Sequence, residues 1–437
     1  MEFSAETIRL FRLHSHHLDR KLPFESILEA AGACGLQNSP PGAWETALFC
    51  RLESCTLNRL QEALYRDKSL LQAWSFRGVP AVFPTREREV FLTALQAQPD
   101  EQPWIYTRGI AAALDFLGME FDELLPLVKQ AASCLENNSV LSKERLDQTL
   151  ADLVLPDLPS QKRPLWNAPS MYGRPDRQTV GGAVVSFLLR PCSFSSLVVF
   201  GERQGASPVF TSLKTWLADS SEGSLPSPGS SDPAEPGKAL VRKFLHCYGP
   251  ASRSSFESWL GSSPRQARRL WDKAASEMTE VTVEGRRAWM LAEDLPALTE
   301  IPRTSDSGHD SCRASFPGRL LLLGAHDPWL DLRDRALILP EKSLHKLVWK
   351  TVANPGAILQ DGSVIGIWKA ASRKNGLCLS LTTWKPLFPD TRRTLETLAQ
   401  EYADFRQLPL KDCSFKCRMP KSEGHRKSIC LCPFASR

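Results

Sequence analysis

The chain has 437 residues, long enough to set an expectation of about two to four domains. Its 42% hydrophobic and 24% charged content is that of a folded protein rather than a disordered one. A net charge of +5 is mild over such a length. There is no run of about 18 apolar residues, nor an apolar block before a small-residue cleavage site, so neither a membrane span nor a secretory leader is expected and the reading is cytoplasmic.

Residues 1 to 100 read as a first unit. SAETIRLFRLH, FESILEAAGACGLQ and TLNRLQEALYRDKSLLQAWSFRGVPAVF run helix, helix, helix and strand, with Arg77-Gly78 where a turn is expected. Inside this unit, GLQNSPPGAWETAL places the amides of Gln37 and Asn38 and the hydroxyl of Ser39 against Pro40, Pro41 and Gly42. That is a rigid loop between helix-like stretches. Residues 101 to 218 repeat the pattern more weakly. SKERLDQTLADLV, RQTVGGAVVSFLLR and SSLVVFGERQGASPVF read helix, helix and hairpin, with Arg203 at a Gly-flanked turn placed like a wing. Residues 219 to 238 are Pro-, Ser- and Gly-rich and read as a linker.

Residues 239 to 301 are the most legible. KALVRKFLHCYG stops at Gly249-Pro250, SFESWLG gives a short helix, and SPRQARRLWDKAASEM starts a third helix with Pro264 in its first turn. VTVEGRRAWML then brackets Glu284-Gly285 as a hairpin. Three helices followed by a hairpin is the order of a winged helix. The third helix carries Arg265, Arg268, Arg269 and Lys273, and the hairpin carries Arg286 and Arg287. This basic footprint points to nucleic acid, although Asp272, Glu277, Glu280 and Glu284 dilute it.

A second linker spans 302 to 315. From 316 to 410, LLLGAHDPWLDLRDRALILP, HKLVWK, GAILQDGSVIGIWK and CLSLTTWKPL read as short β-rich runs with Asp361-Gly362 as a type I′ turn. The helix TRRTLETLAQEYADF follows them. The expected fold class is α+β: three tandem winged-helix units, then a small β-barrel or sheet. The twelve cysteines are mostly scattered singly and form no disulfide framework. Cys413, Cys417, Cys430 and Cys432 cluster with His425 in residues 411 to 437. Their spacing lacks the paired knuckles of a zinc site, so a loose basic tail is expected there.

The stretches GLQNSPPGAWETALF, LYRDKSLLQAWSFRGVPAVFP, ALVRKFLHCYGPASRSSFESWLG, LLGAHDPWLDLRDRALILP and KTVANPGAILQDGSVIGIWK occur in the order and at the separations of a known family. The chain resembles the bacterial winged-helix proteins that include the AlkZ and YcaQ type DNA glycosylases. The resemblance implies winged helices in a C-shaped arrangement around double-stranded DNA, excision of alkylated or crosslinked bases, and no metal or organic cofactor. A monomer is expected. The family's catalytic signature, Q-x-Q or Q-x-D, falls on Gln37-Asn38-Ser39.

Cleaving an N-glycosidic bond develops oxocarbenium-like charge on the sugar, which a positioned water must meet. An amide is no general base near neutral pH, but its carbonyl can hold a water in line. A cationic alkylated purine leaves readily and needs no general acid. Ser39 replaces the second amide or carboxylate of the signature, so a substitute carboxylate is sought in Asp327, with Asp331 and Asp334 nearby. Phosphate contacts are expected from Arg77, Arg203, Arg265, Arg268, Arg269, Arg286 and Arg287. A non-catalytic DNA-binding protein or a protein-interaction module are the alternatives.

Overall fold

Ser4, Thr56, Ser142, Thr179, Ser252 and Ser263 each stand one residue ahead of a helix and accept a hydrogen bond from a first-turn backbone N–H. These caps satisfy donors that the helix itself leaves unpaired. They fix helix starts at Ala5, Leu57, Lys143, Val180, Arg253 and Pro264. The computed structural model describes residues 1–101, 104–173, 175–220, 235–301, 319–374 and 376–419. Most of the first linker, the second linker, Cys430, Cys432 and His425 lie outside the described residues.

The chain divides into two compact units, Met1–Arg319 with Leu323–Asp334, and Leu320–Leu322 with Arg335–Arg437. In the first unit, β1 (Glu2–Phe3) precedes the Ala5–Ser15 helix, and β2 (Leu36–Gln37) follows the Ile27–Gly32 helix. GLQ was expected to close a helix. Gly35 instead adopts φ 71°, which ends the helix, and Leu36 and Gln37 pair with Val82 and Ala81. The turn expected at Arg77-Gly78 joins two strands rather than ending one: β3 (Leu70–Trp74) and β4 (Pro80–Pro84) pair antiparallel and complete a sheet of order β2-β4-β3.

Further along, β5 (Val140–Leu141), β6 (Val199–Phe200) and β7 (Val209–Thr211) make a sheet of order β5-β7-β6 beside the Lys143–Val154 and Val180–Phe194 helices. β8 (Met278–Val283) and β9 (Arg286–Leu291) form the expected hairpin after the helices Glu235–Tyr248, Arg253–Leu260 and Pro264–Lys273. β1 joins that hairpin in parallel, so the two ends of the first unit meet in one sheet. Trp44, Trp74, Trp259 and Trp271 are buried core residues.

The second unit is an open sheet of order β10-β11-β12-β13-β14, built from β10 (Leu320–Leu323), β11 (Gly356–Gln360), β12 (Ser363–Arg373), β13 (Gly376–Thr383) and β14 (Leu410–Cys417). β10 and β14 occupy opposite edges, so the barrel alternative is corrected to an open sheet. Asp361 and Gly362 have φ 50° and 76°, as a type I′ turn requires. Two further expectations change. HKLVWK contains a short helix, His345–Val348, rather than a strand. The start of the expected loose tail, through Cys417, is instead β14, paired in parallel with β13. The Pro389–Phe405 helix lies between those two strands in sequence. No helix among the described residues is long and apolar enough to cross a membrane.

The turn joining β3 to β4 places the next feature of interest. Arg77 at φ 58° and Gly78 at φ 66° are both left-handed, and Gly78 N–H donates to the Ser75 carbonyl at 2.9 Å. Arg190 Nε donates to the Gly78 carbonyl at 3.3 Å. Replacing Gly78 with valine forces a β-branched side chain into this conformation. It is expected to cost about 1–2 kcal/mol, read from chemical denaturation. An unchanged midpoint would show that the turn is not under this constraint.

Candidate active site

Gln37 sits at the end of an edge strand, not in a free loop. Its backbone is set by the pairing with Ala81, and Asn38 N–H donates to the Pro80 carbonyl at 2.7 Å. The Gln37 Nε2 donates to the Ser39 carbonyl at 2.8 Å, which turns the Oε1 away from its own loop. Asn38 is consumed locally: its Oδ1 accepts from Gly42 N–H at 2.7 Å, and Gly42, at φ 88°, starts the Ala43–Arg51 helix. Ser39 is exposed, and its backbone carbonyl rather than its hydroxyl fixes the amide. The whole loop therefore serves to hold one side chain. Gln37 is buried, at 9% exposed.

The second half of the site comes from Gly324–Asp334, which follows β10. Its carboxylates are met by three arginines from the start of the chain. Arg12 Nη1 donates to Asp334 Oδ2 at 2.6 Å, with Nε and Nη2 on the carbonyls of Gly249 and Pro250. Arg51 grips Asp327 with both terminal nitrogens, at 2.8 and 2.9 Å, while its Nε donates to the His16 carbonyl. Arg77 Nη2 donates to Asp331 Oδ2 at 2.9 Å and to Gln37 Oε1 at 3.4 Å.

Asp327, sought as the substitute catalytic carboxylate, is placed elsewhere in function by this geometry. Its side chain is fully buried, both oxygens accept from Arg51, and Oδ1 also accepts from Trp329 N–H at 3.0 Å. No face of it reaches solvent. Burial works against the Arg51 cation, yet the charge and hydrogen bonds of Asp327 outweigh it and hold the guanidinium above its ordinary range. Asp327 is thus a framework residue, capping Pro328–Leu330 while its charge is neutralised. Tyr248 Oη donates to the Pro328 carbonyl at 3.0 Å, and His16 packs edge-on against both Tyr248 and Trp329.

The carboxylate that shares Arg77 with the amide is Asp331. Burial pushes it up to about 6, against the lowering effect of Arg77. His326, at φ 62° in the same loop, is shifted down by burial and then by the Arg77 charge. Asp331 was only a neighbour of interest in the sequence. Its signal was the triple spacing of Asp327, Asp331 and Asp334, which reads as a carboxylate row only once the arginines that meet it are known.

The arginines expected to touch phosphate separate into two groups. Arg77 is engaged in the site just described. Arg269 is held by Glu101, at 2.6 and 2.7 Å, and neighbouring Gln266 donates to the Leu95 carbonyl, so this face of the Pro264–Lys273 helix packs on its own protein. Arg203 is half-buried and donates to the Ala206 carbonyl within its hairpin. Arg265, Arg268, Arg286 and Arg287 are exposed, with Arg265 near Asp100 at 3.7 Å and Arg287 near Glu280 at 3.6 Å.

Comparison with known proteins fits this arrangement. Residues 30–405 match the family described as DNA glycosylase AlkZ-like. An interstrand DNA cross-link repair glycosylase of Streptomyces sahachiroi is 23% identical over 337 residues, which is 75% of this chain and 75% of that protein. The solved structure of Streptomyces sahachiroi DNA glycosylase AlkZ superposes with a TM-score of 0.68 at 20% identity, covering 96% of this chain and 100% of that one.

The Arg51–Asp327 pair carries a stability prediction. Asp327→Leu or Arg51→Met alone leaves a buried charge without its partner and is expected to destabilise by about 3–5 kcal/mol. The double variant Arg51→Met/Asp327→Leu recovers part of that loss. Equal, additive losses in a double-mutant cycle would contradict the pairing.

Proposed function

The chain belongs to the AlkZ-like DNA glycosylase family, and from that premise we propose that it is a monofunctional glycosylase that hydrolyses the N-glycosidic bond of alkylated or crosslinked bases in double-stranded DNA. The supporting observation is the Gln37 amide. Its nitrogen is tied to the Ser39 carbonyl, and its oxygen accepts one long bond from Arg77. An amide oxygen has two lone pairs, so one remains for a water aimed at the sugar carbon of a base turned out of the stack. The relative from Streptomyces sahachiroi is an interstrand cross-link repair glycosylase, which supports a bulky cationic lesion as the substrate class.

Such a lesion suits the residues present. An N7-alkylated purine carries its positive charge before the bond breaks, so it departs as a neutral base and needs no proton from the protein. Positioning then supplies the rate, and Ser39 contributes through its backbone carbonyl. In this reading the three helix-and-sheet groups of the first unit are winged helices that hold the duplex, and the protein acts as a cytoplasmic monomer. Phosphate contacts come from Arg268, Arg286 and Arg287, with Arg265 beside them, because these are the arginines of the predicted set that face solvent.

The test incubates the protein with duplexes carrying N7-methylguanine or a nitrogen-mustard crosslink and counts abasic sites. Release above the spontaneous rate is expected, with a loss of about 10²-fold or more in Gln37→Ala. Release no faster than spontaneous depurination would leave a DNA-binding protein without catalysis. For the duplex contacts, each of Arg268→Ala, Arg286→Ala and Arg287→Ala is expected to reduce the slope of log K against log salt by about one. A slope unchanged by all three would place the phosphates elsewhere.

A further inference from the structure

We propose that Asp331 is the base of this site: its carboxylate takes the proton of the water held by Gln37, the role left empty where Ser39 stands in the signature. This deepens the glycosylase reading and rests on it. The geometry is the convergence of two side chains on one atom. Arg77 Nη2 donates to Gln37 Oε1 at 3.4 Å and to Asp331 Oδ2 at 2.9 Å, so the amide oxygen and the carboxylate flank the same nitrogen. The bond from Arg77 falls on Oδ2 and leaves Oδ1 outside the pair. Asp331 and Arg77 keep 13% and 18% side-chain exposure, whereas Asp327 keeps none and the more exposed Asp334 is bonded to Arg12 rather than to Arg77, so Asp331 is the carboxylate beside the amide's arginine that water can meet.

The chemistry balances without a further reactant. As the C1′–N bond breaks, its electron pair moves to the nitrogen of the departing base and cancels the charge of the alkylated ring. The water oxygen bonds to C1′, and one of its protons passes to Asp331 and from there to solvent. Arg77 keeps the carboxylate ionised and aimed while orienting the amide. Asp331 is surrounded by Arg77, Cys34, Asp327 and the Tyr248 hydroxyl, and His326 faces Arg77. Burial pushes Asp331 up to about 6, close to the working range of a general base.

The experiment is a pH–rate profile for release of N7-methylguanine from a duplex under single-turnover conditions. With wild-type protein the rate is expected to rise through about pH 6 and level off above, because only the ionised carboxylate accepts a proton. Asp331→Asn, which keeps an acceptor for Arg77, loses this acid limb and about 10²-fold or more of the plateau rate. Asp331→Glu restores the limb. Arg77→Gln moves it to higher pH, since removing the cation favours the neutral acid. Thermal unfolding and duplex binding, expected to match wild type for Asp331→Asn, separate lost chemistry from lost folding. If Asp331→Asn keeps both rate and limb while Gln37→Ala loses activity, the inference falls and the glycosylase reading stands. If the limb disappears in His326→Gln instead, the base is His326. If the wild-type protein releases no base, both readings fall.

Discussion

Everything in the site depends on how one short loop is returned to the first unit after β10. Asp327, Asp331 and Asp334 lie within eight residues, and each is met by an arginine from the first 77 residues, Arg51, Arg77 and Arg12 in turn. The central pair, Arg51 with Asp327, is wholly buried and bidentate. Burying two charges is costly, and such pairs hold a unique arrangement more reliably than they add stability. Here the arrangement they hold is a loop beside Gln37. With the loop fixed at Asp327, Asp331 four residues on is delivered to Arg77.

The Asp327 and Asp331 pairs show why the burial gradient matters. Asp327 is spent on structure because both of its oxygens are occupied and no solvent reaches it. Asp331 is open enough to exchange a proton, and burial raises it toward neutrality while Arg77 restrains the rise. Environment rather than residue type therefore separates two carboxylates four residues apart. The amide needs the same support. Gln37 is oriented by a backbone carbonyl on one side and by a shared arginine on the other.

Much of this was legible in the sequence, where local chemistry decides the outcome. The capped helices and the Glu284-Gly285 and Asp361-Gly362 hairpins follow from short-range patterns. The failures are long-range. Nothing near Arg77 or Arg269 in the sequence announces Asp331 or Glu101, which lie 254 and 168 residues away. Both arginines read as phosphate contacts in the sequence; in the structure one is bonded to Asp331 and Gln37 and the other to Glu101. The same holds for β14, whose alternating polar residues looked like a tail because its partner β13 is separated from it by the Pro389–Phe405 helix. Asp327 was a candidate because Ser39 leaves the signature without its second amide or carboxylate, and the Arg51 that occupies it is 276 residues distant.

In the proposed mechanism the leaving group matters as much as the protein, because a cationic alkylated base departs as a neutral molecule without taking up a proton. The most direct measurement compares enzymatic release of a cationic base, N7-methylguanine, with that of an uncharged base, uracil, each divided by its spontaneous rate in the same duplex. A site that only positions and deprotonates water predicts a large enhancement for the cationic base and little or none for uracil. Equal enhancement of both would contradict the proposed mechanism, since an uncharged base leaves at that rate only when a group of the protein protonates it.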